Sequence, residues 1–586
     1  MGACPIALMD PLYFGPLDSE KNRYIFEHVV AGVGGYGNCI GVPVVRGELV
    51  FESSYSGNPL VNVVCVGIVD PDRYITARVK KPGNHLVLIG SSTGRDGLGG
   101  ASFASRDLAE DAEAADRPSV QIGDPYTEKL LIDAILAMAA TGKVLSCRDL
   151  GAAGLAGASS EMASTFGAVI HADRVHLRET GMTPREIMLA ESQERMLVEV
   201  APEDVTLIGS IAERYDLAWS DVGEVIAEPR YIVRYLGETV ADLPIDLLVG
   251  GVPPCSWEKK PYSAERPFSR PEAPVKDLAL SVLAHPDVAR KDWVYEQYDK
   301  DVQVRSVSLV HDAAVLRLED KALVLSCGCN PSQIFLKPYD GAANAVIENA
   351  GNLACLGAEP LCIVDCLNFA SPEHPEVAWQ IEQCILGMGE MARKMGIPIV
   401  GGNVSLYNES DEFDTRIMPT PSIGMLGRGE VRRWTAPNEG DLIALVGRTL
   451  PDFGGSVLDA VTGCGGPAPA MADPAVVAIV RGLVASGSVT AATDLSRGGL
   501  LAALAKVAPR AEVALAGDPL EELFSETCGR FLLAVRDEAA LAGVKHRIIG
   551  TVGGDTLTIR LEGESIVIPP EELDAALSTT TRTMRY

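Results

Sequence analysis

Met395-Gly396-Ile397-Pro398-Ile399-Val400-Gly401-Gly402-Asn403-Val404-Ser405-Leu406-Tyr407-Asn408-Glu409 decides how the rest of the chain is read. Its apolar, β-branched run reads as a strand. The strand is expected to break at Gly401-Gly402 and to resume at Val404. Two glycines let a ligand approach the backbone closely, and Asn403, Ser405 and Asn408 place polar groups beside that break. The stretch has an echo 355 residues earlier, Ile40-Gly41-Val42-Pro43-Val44-Val45-Arg46-Gly47-Glu48.

The echo extends into a tandem repeat. Gly2-Ala3-Cys4-Pro5-Ile6-Ala7-Leu8-Met9-Asp10-Pro11-Leu12-Tyr13-Phe14 matches Gly357–Phe369 at six of 13 positions, with the same offset of 355. That offset also pairs Gly32 with Gly387, Gly47 with Gly402 and Gly99-Gly100 with Gly454-Gly455. Further on the offset slides. Asp149-Leu150-Gly151-Ala152-Ala153-Gly154-Leu155 then meets Asp494-Leu495-Ser496-Arg497-Gly498-Gly499-Leu500, and Glu191–Arg195 meets Glu526–Arg530. The second repeat runs through some sixty residues before its Gly357, whereas the first starts at Met1. The expectation is an N-terminal truncation, by deletion or a late start; the alternative is a natural one-and-a-half repeat. The expected divisions are 1–80, the remnant of a first N-terminal domain; 81–250, its C-terminal domain; 251–285, a Pro-rich linker; and 286–435 with 436–576, the two domains of the second repeat.

At 586 residues and 47% hydrophobic content, with 58 glycines, the chain reads as a multidomain α/β (α+β) protein. A net charge of −29 argues against a nucleic-acid or anionic-membrane surface. It leaves room for a phosphorylated ligand reached through Mg²⁺. The 13 cysteines are scattered without a CxxC pair, which disfavours zinc and suits reduced thiols in a cytoplasmic protein. No apolar run approaches a membrane span.

Gly32-Val33-Gly34-Gly35-Tyr36-Gly37 matches GxGxxG but sits in a helical pattern, the wrong context for a dinucleotide fingerprint. Asp149 ends a strand and precedes small residues, as a Mg²⁺ ligand or a helix N-cap would. Asp10 and Asp365 are each expected to end an apolar strand, as cap or ligand. Glu191-Ser192-Gln193 reads equally as a turn or a site, and Gln121 as a loop residue. Asp72–Arg78 reads as a strand, and Leu577–Tyr586 as a frayed end.

Taken together, Gly2–Ala7, Gly57–Asn62, Gly94-Arg95-Asp96-Gly97, Asp149–Leu155, Glu191–Met196 and Gly402–Glu409 closely resemble the small synthetase subunit of phosphoribosylformylglycinamidine synthase. The resemblance implies a tandem repeat of the aminoimidazole-ribonucleotide-synthetase-like fold. It implies an ATP-dependent ligase of purine biosynthesis that turns formylglycinamide ribonucleotide and ammonia into the amidine. A glutaminase subunit and a small bridging subunit are the implied partners. Carried over by position, Gln121, Glu191, Ser192, Gln193 and Ser405 would bind substrate, Asp365 and Gly402 would bind ATP, and Asp149 and Asn403 would bind Mg²⁺. The family's catalytic histidines belong to a segment preceding Met1, so the competing expectation is a catalytically impaired nucleotide-binding scaffold. Single-unit relatives such as selenophosphate synthetase are a third reading, against which the duplication counts. Arg46, Thr493 and Gly328 depart from the family pattern, which predicts a degenerate second-half site.

Overall fold

The computed structural model describes residues 1–99, 121–309, 312–433 and 435–585; Gly100 lies outside them. Two compact units emerge. One comprises Met1–Ala7, Gly35–Val42 and Cys65–Ser256; the other comprises Leu8–Gly34, Pro43–Val64 and Trp257–Tyr586.

The first unit is built on a seven-stranded sheet. Its order is Val144–Asp149, Arg195–Val200, His85–Gly90, Ala218–Ile226, Gly167–His171, Arg230–Tyr235 and Glu238–Pro244. His85–Gly90 is central, and its side chains alternate between two cores. Leu86 and Leu88 pack with Leu155 and Met162 of the helix Gly154–Met162. Val87 and Ile89 pack with Ala134 and Met138 of the helix Pro125–Ala140 and with Ile208 of the helix Val205–Arg214. A strand buried on both faces needs an unbroken apolar run, which is what Leu86–Ile89 supplies.

The second unit contains a sheet of the same order: Ala491–Asp494, Phe531–Val535, Leu442–Val446, His546–Val552, Ala511–Ala514, Leu557–Leu561 and Glu564–Ile568. Strand for strand it repeats the first, so the duplication read from the sequence is a duplication of topology. The unit also holds a six-stranded sheet, ordered Ser306–Ser308, Ala314–Leu318, Lys321–Gly328, Thr420–Glu430, Glu359–Asn368 and Ile399–Ser405. The helix Pro338–Ala354 lies against it with almost every residue buried. Its Ala-rich run lets backbone and sheet approach closely.

Several local expectations need correction. The strand Ile399–Ser405 does not break at Gly401-Gly402. It runs on, paired in parallel with Glu359–Asn368 after one register shift that skips Val400, and pairs Asp365 with Gly402 and Cys366 with Asn403. Ladder hydrogen bonds outweigh the low strand preference of glycine. Asp10 and Asp365 do not end their strands, which continue to Phe14 and Asn368. Asp72–Arg78 forms no strand; Asp70-Pro71-Asp72-Arg73 closes a turn through the Arg73 amide on Asp70 O at 2.8 Å. The C-terminus is helical over Pro570–Leu577 and Thr579–Arg585, with Thr580 fully buried. Gly32–Gly37 lies inside the helix Glu20–Ile40.

Candidate functional site

In the first unit the chemistry gathers where Val144–Asp149 gives way to the helix Gly154–Met162. Asp149 is the last strand residue and is exposed. The helix N-cap is Ala153, held left-handed at φ +59° with no side-chain cap bond, so Asp149 is not the cap. The turn between them lifts Ala153 N toward Glu191, whose Oε1 accepts it at 2.9 Å. Glu191 Oε2 accepts Gln121 Nε2 at 2.7 Å. Gln193 Nε2 donates to Gln121 Oε1 at 3.0 Å and to Glu191 O at 3.1 Å. The structure thus brings Gln121, Glu191 and Gln193 into one network beside the turn that follows Asp149. Gly97, at φ +60°, must be glycine here because a Cβ would sit 2.7 Å from Glu191 Cβ.

Ser192 faces the other way. Its hydroxyl donates to Asp96 Oδ2 and accepts the Gly94 amide at 3.0 Å. Asp96 is clamped in turn by Arg178 Nη2 at 2.6 and 2.7 Å. Arg195 is buried and braces the loop from below, donating to Ser192 O at 2.8 Å, Ala190 O at 2.7 Å and Thr93 Oγ1 at 2.9 Å. The sequence does not single out Asp96, Arg178 or Arg195 as site residues. Asp96 and Arg195 lie inside recognisable motifs, and nothing short of the fold marks Arg178.

A second group that the sequence does not reveal is acidic. Tyr36 OH donates to Glu194 Oε1 at 2.9 Å. Burial, with the Glu194 and Asp149 charges adding to it, raises the Glu128 carboxyl to about 7. Glu128 therefore changes charge near neutrality, unlike an ordinary surface glutamate.

In the second unit Asp365, Gly402, Asn403 and Ser405 lie along the paired strands Glu359–Asn368 and Ile399–Ser405. A Cβ on Gly402 would overlap Asp365 Oδ1, so the glycine keeps that carboxylate free to face outward. Burial raises the Asp365 pKa. Asn403 is exposed, with Nδ2 3.7 Å from Cys366 Sγ. Ser405 accepts Asn408 Nδ2 at 3.1 Å through its hydroxyl. The strand edge that carries them is exposed, and it presents Ile399, Val400 and Val404 as well as these polar groups.

The donor chemistry in both places is hard oxygen, suited to Mg²⁺. No cluster of three or more His, Cys, Asp or Glu among the described residues could hold a metal by itself. Mg²⁺ characteristically takes one or two carboxylates and completes its shell with substrate phosphates and water, so isolated Asp149 and Asn403 fit it.

The second unit repeats three parts of the frame around Asp149, although Cys528 stands where the first unit has Gln193 and cannot repeat its amide bonds. Glu526 Oε1 accepts Gly498 N at 2.8 Å, as Glu191 accepts Ala153 N. Thr527 donates to Asp452 Oδ2 at 2.7 Å, as Ser192 does to Asp96. Arg530 donates to Thr527 O, Ser525 O and Thr449 Oγ1, as Arg195 does to Ser192 O, Ala190 O and Thr93 Oγ1.

Comparison with known proteins follows the same division. The AIR synthase related protein N-terminal domain matches residues 1–69 and 310–429, and its C-terminal domain matches 81–236 and 438–560. Phosphoribosylformylglycinamidine synthase subunit PurL of Methanosarcina mazei is 49% identical, covering 100% of this chain and 85% of the relative. The subunit of the same name from Thermococcus gammatolerans is 48% identical over 98% of this chain and 84% of the relative. Among solved structures, T. maritima PurL complexed with FGAR superposes with a TM-score of 0.74 at 30% identity, over 94% of this chain and 84% of that one. T. maritima PurL complexed with ATP gives 0.72 at 29%, over 94% and 83%. PurLQS from Thermotoga maritima gives 0.73 at 29%, over 94% and 84%.

Proposed function

This chain belongs to the phosphoribosylformylglycinamidine synthase PurL family, and from that premise we propose that it forms the amidine of formylglycinamide ribonucleotide at the expense of ATP, within purine biosynthesis. The observation that carries the reading is Glu191. One buried carboxylate ties Gln121, and through it Gln193, to the backbone turn that follows Asp149. A ribonucleotide substrate needs such a rigid set of amide and carboxylate groups for its polar edges.

The glycinamide carbonyl oxygen is a poor leaving group. Transfer of the ATP γ-phosphoryl group to it breaks the β–γ P–O bond, releases ADP and makes that oxygen a phosphate ester. Ammonia then adds to the carbon, phosphate departs with the oxygen, and the amidine remains. In this reading Gln121, Glu191, Ser192 and Gln193 are the substrate residues of the first unit, and the second unit has a substrate residue in Ser405 and nucleotide residues in Asp365 and Gly402. Asp149 and Asn403 would supply oxygens to Mg²⁺, which neutralises phosphate charge when bound. Gln193 spends both amide N–H groups on Gln121 Oε1 and Glu191 O, which holds Gln121 in place, and Gln121 Nε2 keeps one N–H beyond its bond to Glu191. Ammonia is supplied by a glutaminase subunit, with a small third subunit bridging the two. The similar structure of PurLQS from Thermotoga maritima is of more than PurL alone, which supports this reading.

The test is ADP release dependent on formylglycinamide ribonucleotide, with ammonium as nitrogen donor. Turnover that collapses in Glu191→Ala supports the ligase. Nucleotide binding without any turnover would replace it with the non-catalytic scaffold reading.

A further inference from the structure

Glu194 follows the Glu191–Gln193 loop at φ +55°, in the left-handed region that strains any residue with a Cβ. Its counterpart in the second repeat is Gly529, at φ +76°. The backbone turn is the same in both units. A Cβ on Gly90 would strike Glu194 O at 2.1 Å, and one on Gly447, just past Leu442–Val446, would strike Gly529 O at 2.6 Å. Glycine fits this turn without strain, yet the first unit holds a glutamate in it.

The side chain is where the difference lies. Glu194 is only 8% exposed. Its Oε1 accepts Tyr36 OH at 2.9 Å, and the carboxylate also accepts the backbone N–H of Asp124. Burial raises the Glu194 carboxyl above its ordinary value, and these two bonds oppose that rise by favouring the charged form. Gly123 packs beside them: a Cβ there would meet Tyr36 Cε2 at 3.2 Å and Glu194 Oε1 at 4.0 Å. Asp124 caps the helix Pro125–Ala140, so the carboxylate grips the chain where that helix begins. Gln121 lies three residues upstream, its side chain held by Gln193, the neighbour of Glu194. In the second unit the corresponding helix, Ala475–Ala485, starts against the glycine itself. A Cβ on Gly529 would meet Ala472 Cβ at 3.2 Å and Val476 Cγ1 at 3.5 Å. That approach is apolar; in the first unit two hydrogen bonds to a carboxylate span it.

We propose that Glu194 is a positioning residue for the ribonucleotide. It acts through Gly123-Asp124 on Gln121. Glu191 and Gln193 fix the Gln121 amide, and Glu194 fixes the backbone that delivers it. Strain at this turn accompanies a carboxylate placed where glycine would serve the fold. The inference rests on the reading of Gln121 as a substrate residue, and its test separates the two.

Three variants of the full chain are compared with the parent: Glu194→Gly, Gln121→Ala and the two combined. Calorimetric titration gives the affinities for formylglycinamide ribonucleotide and for Mg-ADP, and amide hydrogen exchange is followed over residues 121–124. Glycine is native to this turn in the second unit, so Glu194→Gly should keep the parent Tm within about 3 °C, relieved strain offsetting lost bonds. It should weaken ribonucleotide binding by about tenfold or more, leave Mg-ADP within about twofold, and speed exchange at Asp124 by about tenfold. Added to Gln121→Ala, it should weaken ribonucleotide binding by no more than about twofold further, because it acts through Gln121. In turnover with ammonium, KM for the ribonucleotide should rise while kcat stays within about threefold. Unchanged exchange, parent affinity in Glu194→Gly where Gln121→Ala loses it, or losses that add in the combined variant overturn the proposal. Parent affinity in Gln121→Ala would instead refute the reading of Gln121, with faster exchange in Glu194→Gly still showing the tether. Should Glu194→Gly fail to fold, Tyr36→Phe decides, since it removes one donor and leaves the turn alone. Ribonucleotide affinity lower by about threefold supports the proposal, and parent affinity overturns it.

Discussion

Glu191 is the residue on which the candidate site turns. Replacing it with alanine leaves the Ala153 amide and the Gln121 amide without their acceptor, and since both residues are exposed, water replaces it and the loss falls on the geometry of the network rather than on stability. We expect Glu191→Ala to lower kcat/KM for formylglycinamide ribonucleotide by about 100-fold or more, measured as ADP release, with the far-UV CD spectrum retained. Gly402→Ala places a methyl group against Asp365 Oδ1. It should weaken nucleotide binding by about tenfold or more, read by calorimetric titration, through displacement of that carboxylate. Asp10 offers a pH test. It is buried, neither carboxyl oxygen has a partner among the described residues, and burial raises it to about 7. Its unfolded pKa is about 3.9. Between those values the native state holds a proton that the unfolded chain has released. Its contribution to stability is therefore full below pH 4 and is lost as pH rises through 7. Asp10→Asn should flatten this dependence. Relative to the parent, its Tm should climb between pH 5 and pH 8, and a constant difference across that range would contradict the assignment. At this scale the sequence speaks through motifs: Asp149 and Asn403 stand out beside glycines, and Glu191 within Glu191–Met196. Glu128 and Arg178 do not, because their properties come from burial and from neighbours distant in the chain, and Asp10 is legible only as an acid on a strand, not as a buried one.

Among elements, the turn between strand and helix is the working part, and the repeat supplies its own control. Ala153 adopts φ +59° where its counterpart Gly498 adopts +78°. A left-handed residue with a Cβ costs about 1–2 kcal/mol. Ala153→Gly should therefore raise stability by about 1 kcal/mol. Gly498→Ala should lower it by at least that much, since its Cβ would also meet Ala502 Cβ at 2.8 Å. Chemical denaturation with a shared m-value measures both. The sequence shows this turn clearly, because small residues after an acid at a strand end have few other uses. It misleads at Ile399–Ser405, where glycine signals a break. The parallel register with Glu359–Asn368 holds the strand together, and pairing between residues some forty positions apart is invisible to a local reading. The terminal helix Thr579–Arg585 escapes for the same reason. Its polar sequence is held by tertiary contacts such as Arg585 Nη2 on Glu296 at 2.9 Å.

At the scale of the whole chain, duplication organises everything. Two seven-stranded sheets share one strand order, and two frames share their hydrogen bonds. The internal repeat is legible because glycines and acids recur at a fixed offset. What the offset cannot tell is which charges meet across the fold, such as Arg497 with Glu48 and Asp287. The central claim is that the copy built on Glu191 carries the chemistry and the copy built on Glu526 has become structural. The most direct measurement compares Glu191→Gln with Glu526→Gln in the ammonium-dependent assay for ADP release. The account predicts loss of turnover in Glu191→Gln by about 100-fold, with kcat/KM within about twofold of the parent in Glu526→Gln. Equal loss in both variants, or no release dependent on formylglycinamide ribonucleotide in the parent, would contradict it.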